Sequence, residues 1–151
     1  SSYQPEAEGV FIAYASLHGN TAGAAKKLGK ILLDKGCPKV AMADLARDDM
    51  AEALEDAFRY GKIVFAASSY NAGVMPFMED FLHHLKAKSY QNRTVALIEN
   101  GSWAPSANKT MADILSQMKD ITILEQQVTI RGAVKKSDEE ALAVLADELT
   151  K

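Results

Sequence analysis

Short apolar runs recur along this chain, and each is followed by a stretch with helical spacing. Val10, Phe11, Ile12, Ala13 and Tyr14 form the first run. A strand of that composition suits a sheet covered on both faces, as parallel sheets are. The pattern after it places Thr21, Ala24, Ala25, Leu28, Ile31 and Leu32 at spacings of three and four, which makes one apolar stripe of a helix. Lys39–Asp44, Lys62–Ala67 and Arg93–Ile98 repeat the strand pattern. Stripes containing Leu54 and Phe58, Phe81 and Leu85, then Met111 and Leu115 alternate with them. The last strand reads as broken, Ile121–Leu124 and Val128–Arg131, ahead of a helix carrying Leu142, Leu145 and Leu149 inward. Five β-α units in succession predict an α/β fold with a doubly wound five-stranded parallel sheet and helices on both faces. Right-handed crossovers with one reversal of winding give the order 2-1-3-4-5.

Punctuation supports these bounds. Gly36 and Pro38 end the first helix near Lys35. Asp48 or Asp49 caps the second. Pro76 opens the third, with Glu79 and Asp80 in a solvated first turn. Ser137 and Glu140 have the spacing of a capping box for the last helix. The expected division is a lead-in or tag remnant over 1–8 and one domain over 9–151.

In a sheet of this order ligands sit beyond the carboxyl ends of the strands, at the reversal between strands one and three. Three unusual loops converge there. Ser16, Leu17, His18, Gly19, Asn20 and Thr21 join the first strand to the first helix. Unpaired N–H groups at a helix start, with hydroxyl and amide side chains beside them, make an anion site without Lys or Arg. The same residues also fit an ordinary turn with Asn20 or Thr21 as cap. The second loop is Ser68-Ser-Tyr-Asn-Ala-Gly73. The third, Glu99-Asn-Gly-Ser-Trp-Ala-Pro105, holds the only tryptophan. Tyr70 and Trp103 either pack in the core or cover the faces of a flat ring bound next to a phosphate.

Other classes find little support. The formal charge of −3 comes without a Lys/Arg block, which argues against nucleic acid and anionic membrane surfaces. No apolar run approaches the ~20 residues of a membrane span, and no signal peptide is apparent. The single Cys37 forms no internal disulfide, so a cytoplasmic location is expected. His83 and His84 project about 100° apart on a helix and do not chelate one metal together. A phosphoacceptor receiver domain needs carboxylates after strands one and three. Ala15-Ser16 and Ser68-Ser69 stand there instead.

The loops carry a family resemblance. Ser16–Thr21 resembles the FMN phosphate loop of flavodoxins. Tyr70-Asn-Ala-Gly73 with Pro76, and Glu99–Pro105, look closer still to the flavodoxin domain at the C-terminal end of flavodiiron proteins, the A-type flavoproteins. The resemblance covers the chain from Gly9 onward. It implies an FMN-binding electron-transfer domain with no catalytic residue and no metal of its own. Ser16, Leu17, His18, Gly19, Asn20 and Thr21 would wrap the phosphate. Ser69, Tyr70, Asn71, Ala72 and Gly73 would edge the isoalloxazine and ribityl, with a backbone carbonyl near Ala72 receiving N5–H. Asn100, Gly101, Ser102, Trp103 and Ala104 would face the pyrimidine side. The implied partner is a diiron oxygen or nitric oxide reductase domain absent from this chain, or a rubredoxin-like donor. A stand-alone flavodoxin and an NAD(P)H-dependent flavin reductase are the alternatives. One departure stands out: Ala67-Ser68-Ser69 replaces the family's Ser-Pro-Thr, which is expected to loosen the second loop.

Overall fold

Along β1 (Ala7–Ala15) successive side chains leave for opposite faces of the sheet. Phe11, Ala13 and Ala15 enter one buried cluster, and Val10, Ile12 and Tyr14 enter the other. The computed structural model of the chain describes residues 7–16, 19–70, 73–101 and 106–151. The remaining elements are α1 (Asn20–Asp34), β2 (Val40–Asp44), α2 (Met50–Arg59), β3 (Tyr60–Tyr70), β4 (Gly73–Val74), α3 (Pro76–Ala87), β5 (Arg93–Asn100), α4 (Ala107–Leu115), β6 (Ile121–Ile123), β7 (Val128–Ile130) and α5 (Lys136–Leu149).

The strand order is β2-β1-β3-β5-β6, with β7 also alongside β5 and β4 alongside β3. This is the flavodoxin-like order expected from the sequence, with β6 and β7 as the two pieces of the broken outer strand. Val95 faces Ile123 and Ile98 faces Val128. Three steps on β5 thus match five on the outer strand, and the chain leaves the ladder between them. All principal pairings are parallel.

Both faces are sealed, which is why the strands lack polar alternation. α2, α3 and α4 cover Phe11, Ile63, Phe65, Val95 and Leu97. α1 and α5 cover Ile12, Val64, Ala66, Ala96 and Ile98. α1 and α5 lie side by side, joined by Lys27–Glu139 at 2.6 Å and Lys35–Asp147 at 2.7 Å.

The ends of elements differ from expectation in instructive ways. Asp49 is the cap of α2, accepting the Ala51 N–H, whereas Asp48 accepts the Asp44 N–H. Ser137 does not cap α5. The helix begins at Lys136, and the Asp138 carboxylate accepts the Lys135 N–H. Ser137 is already helical, so its backbone cannot take the extended form a cap requires. The second loop is largely strand: β3 runs on to Tyr70 and folds back through β4, pairing Ser69 with Val74. At the opposite end, Cys37 is buried and its thiol donates to the Lys39 carbonyl. His83 and His84 are exposed on α3, beside Glu79 and Asp80.

Candidate functional site

β1, β3 and β5 run parallel and reach one edge of the sheet, where Ala15 lies beside Ala67 and Asn100 beside Ser68, and β3 continues past them to Tyr70. The turn after β1 reverses at Gly19, whose φ of 84° is a left-handed conformation that glycine adopts without strain. The Gly19 N–H donates to Ser16 Oγ at 2.9 Å. Gly19 itself occupies the cap position of α1, and among the described residues no side chain caps the helix. Neither Asn20 nor Thr21 therefore plays the capping role that an ordinary turn would give it. Among the described residues no side chain takes the first-turn amides of α1, and the positive end of the helix dipole lies behind them. A Cβ built on Gly19 would meet nothing within 4 Å. A space of about 360 Å³ adjoins this turn, lined by Gly19, Asn20, Gly23, Lys27, Val134 and Glu139.

The other segments are laced to this turn and to each other. Thr21, fully buried, places Oγ1 2.9 Å from Ser68 Oγ. The Met75 N–H donates to the Ser68 carbonyl at 3.0 Å. Ser68 therefore ties the second segment down on both sides, where the missing proline was expected to loosen it. Ser69 Oγ accepts the N–H groups of Ser106 and Ala107, at 2.9 and 3.2 Å, and Ser106 Oγ donates to the Gly73 carbonyl. α4 has no cap of its own. The end of β3 caps it from outside.

β5 completes the frame. Glu99 is buried; its Oε1 accepts the Asn108 N–H at 2.9 Å, and its Oε2 accepts the Thr129 hydroxyl at 2.5 Å. The Asn100 side chain exchanges two hydrogen bonds with the backbone of Gly132, and the Gly101 N–H donates to the Ile130 carbonyl. At the same end of the sheet burial pushes the Tyr14 phenol up. Asp44 and Asp48 add to this and Arg47 opposes it.

The structure thus brings Ser16, Gly19, Asn20, Thr21, Ser69, Gly73, Asn100 and Gly101 to one rim, together with the backbone of Tyr70. Leu17, His18, Asn71, Ala72, Ser102, Trp103 and Ala104 lie outside the described residues. Sequence reasoning missed Ser106, Asn108, Thr129 and Gly132 of the supporting set, and it named Ser68 and Glu99 only as the first residues of their loops, without a supporting role. The only signal for Glu99 was a carboxylate closing an otherwise apolar strand. A larger cavity of about 480 Å³ opens at the far end of the sheet, next to Cys37, Lys35 and Lys62. Its lysines are already engaged, Lys35 with Asp147 and Lys62 with the carbonyls of Leu149 and Lys151. Among the described residues no cluster of His, Cys, Asp and Glu is placed to hold a metal ion, and no helix is long and apolar enough to cross a membrane.

The rim suits a phosphorylated ligand in its donor chemistry. It offers uncapped amides and neutral hydroxyls around a glycine turn with room beside it. The chain is similar over 97% of its length to rubredoxin oxygen:oxidoreductase from Desulfovibrio gigas, with a TM-score of 0.85 and 21% identity, covering 36% of that chain. It resembles a flavo-di-iron protein variant from Thermotoga maritima at 28% identity and a TM-score of 0.76, over 97% of this chain and 37% of that one. A flavodoxin from the domain Archaea matches at 18% identity and a TM-score of 0.77, over 94% of this chain and 99% of that one. The chain therefore spans about a third of the first two and nearly all of the third. No curated protein sequence matches it. The family model for flavodoxin matches residues 12–144, and the chain belongs to the flavodoxin family.

Proposed function

We propose that residues 9–151 form an FMN-binding domain that carries electrons for a separate redox centre. One observation carries the reading. The uncapped start of α1 lies at the winding reversal of the sheet, hydrogen-bonded through Thr21 and Ser68 to the strand whose end frames the second segment. Bound FMN would supply the electron chemistry. The chain's residues bind and orient it. Ser16, Gly19, Asn20 and Thr21 hold the phosphate by amide and hydroxyl donors, with Leu17 and His18 in the same turn. Ser69 to Gly73 edge the ring and ribityl. Asn100 to Ala104 face the pyrimidine side, with Tyr70 and Trp103 against the ring.

The physiological partner is proposed to be a diiron oxygen or nitric oxide reductase domain, fed by a rubredoxin-like donor. In the Desulfovibrio and Thermotoga proteins a segment of this fold makes up about a third of a longer chain. A cytoplasmic setting follows from the same reading. The test is reconstitution of the purified chain with FMN, followed by stepwise reduction in the spectrophotometer. Stoichiometric flavin absorbance retained through gel filtration is expected. Loss of all flavin on the column would refute the reading. Rapid reduction by NAD(P)H without another protein would instead make the chain a flavin reductase.

A further inference from the structure

Gly23 stands one turn beyond Gly19 on α1, and its N–H donates to the Gly19 carbonyl at 2.9 Å. Glycine inside a helix costs stability relative to alanine, because it gives up more backbone freedom on ordering. Packing accounts for the other interior case on this helix. Gly29 is buried, with the Val40 and Met42 side chains 3.5 Å from the place of a Cβ. Gly23 has no such reason. It is exposed, and among the described residues a Cβ there would meet nothing within 4 Å. Its open side faces the space of about 360 Å³ that adjoins Gly19 and Asn20. That space follows α1 as far as Lys27, eight residues beyond Gly19 and about 12 Å along the helix. Its other wall is Ala133 and Val134 of the β7–α5 connection and Glu139 of α5. The half-exposed Lys27 and Glu139 side chains join the two walls at 2.6 Å.

The phosphate turn thus opens on one side into a space with a cation, a carboxylate and a small apolar surface. We propose that this space is a subsite for the adenylate half of flavin adenine dinucleotide (FAD), so that the chain accepts FAD as well as FMN. The proposal rests on the FMN reading and extends it to a second ligand class. FMN ends at the phosphate assigned to the α1 start. FAD continues from that phosphate through a second one to adenosine. Lys27 is the cation for the second phosphate, and Glu139 is an acceptor for ribose hydroxyls. Ala133 and Val134 give the adenine an apolar surface. The volume lies in the range of small-molecule sites. Gly23 keeps the passage between the two phosphates and the adenosine clear, which is the packing reason that its own fold does not supply.

Calorimetric titration of the purified apoprotein with FMN and with FAD tests this in wild type and in Gly23→Leu. Leucine is a good helix former, so the variant suits α1 and fills the space beside it. Wild type should bind FAD within tenfold of FMN. Gly23→Leu should weaken FAD at least tenfold and FMN less than threefold, and its FMN affinity reports that the phosphate turn is intact. FMN binding with FAD more than tenfold weaker in wild type would overturn the subsite and leave the FMN reading standing. Equal losses for both ligands in Gly23→Leu, or a loss for neither, would also overturn it, because the adenylate would then lie elsewhere. If wild type binds neither flavin, the FMN reading and the subsite fall together. Amide NMR of the apoprotein gives a readout without flavin. AMP should shift the Val134 and Glu139 amides, which inorganic phosphate leaves in place; identical shifts from the two probes would overturn the subsite.

Discussion

Thr21 Oγ1 and Ser68 Oγ lie 2.9 Å apart although 47 residues separate them in sequence. The contact joins the first turn of α1 to β3 at the winding reversal. Thr21 is fully buried, so removing its partner leaves a hydroxyl without water to replace it. Ser68→Ala is expected to destabilise the fold by about 1–2 kcal/mol, and Thr21→Val by a similar amount. The double variant should cost less than the sum, because no orphaned hydroxyl remains to desolvate. Urea unfolding of the four proteins checks this, and strictly additive costs would show that the two hydroxyls do not interact.

Gly9 and Gly19 both have positive φ, at 124° and 84°, but at opposite ends of the sheet. A Cβ on Gly9 would run into the Lys39 carbonyl, next to the point where the Val10 N–H donates to that oxygen. A Cβ on Gly19 meets open space. Gly9→Ala is therefore expected to cost roughly 3 kcal/mol or more in stability and to leave ligand affinity intact. Gly19→Ala should cost about 1–2 kcal/mol of backbone strain and weaken FMN binding at the phosphate turn. Thermal unfolding beside FMN titration separates the two. An affinity loss for Gly9→Ala larger than for Gly19→Ala would contradict the placement of the site.

Far from the rim, Tyr90 donates to the Ala57 carbonyl. The Tyr90 and Phe58 rings pack edge to face, and Arg93 lies against both of them and donates to the Phe58 carbonyl. Burial pushes the Tyr90 phenol well above its usual value, with Arg93 opposing, and burial lowers Arg93. The folded state thus holds the Tyr90 proton after the unfolded chain has released it near pH 10. Stability from Tyr90 is complete below pH 10 and falls as pH rises toward the folded-state value, by about 1.4 kcal/mol per unit at most. Tyr14, also raised, adds to the same slope. Tyr90→Phe should flatten it. Unfolding free energies between pH 9 and 11 test this, and an unchanged slope would show that Tyr90 ionises equally in both states.

Much of this architecture is written in apolar spacing. Ile12 and Phe65 belong to runs without polar residues, and those runs prescribe central parallel strands whose order the structure bears out. The ends of elements are written less plainly. Ser137 had the spacing of a cap, but the cap position falls two residues earlier, at Lys135, whose N–H the Asp138 carboxylate accepts, because Lys136 is already helical. The Ser68–Tyr70 extension and its return through Gly73–Val74 rest on backbone pairing among small polar residues, which leaves no periodic trace. The rim was found from its glycines and hydroxyls. Its supports were not, because the bonds of Glu99 to Asn108 and Thr129 join residues 9 and 30 positions away. Only the folded arrangement of β5, α4 and β7 makes them neighbours.

The phosphate turn around Gly19 bears the most weight in this account, and comparison of FMN with riboflavin tests it directly. The two ligands share the ring and ribityl and differ only in the phosphate. Titration of the apoprotein, followed by quenching of flavin fluorescence, should show FMN bound at least about 100-fold more tightly, on the order of 2.7 kcal/mol. Gly19→Ala should narrow that gap. Equal affinity for the two flavins, or no binding of either, would contradict the assignment of the α1 start as the phosphate site.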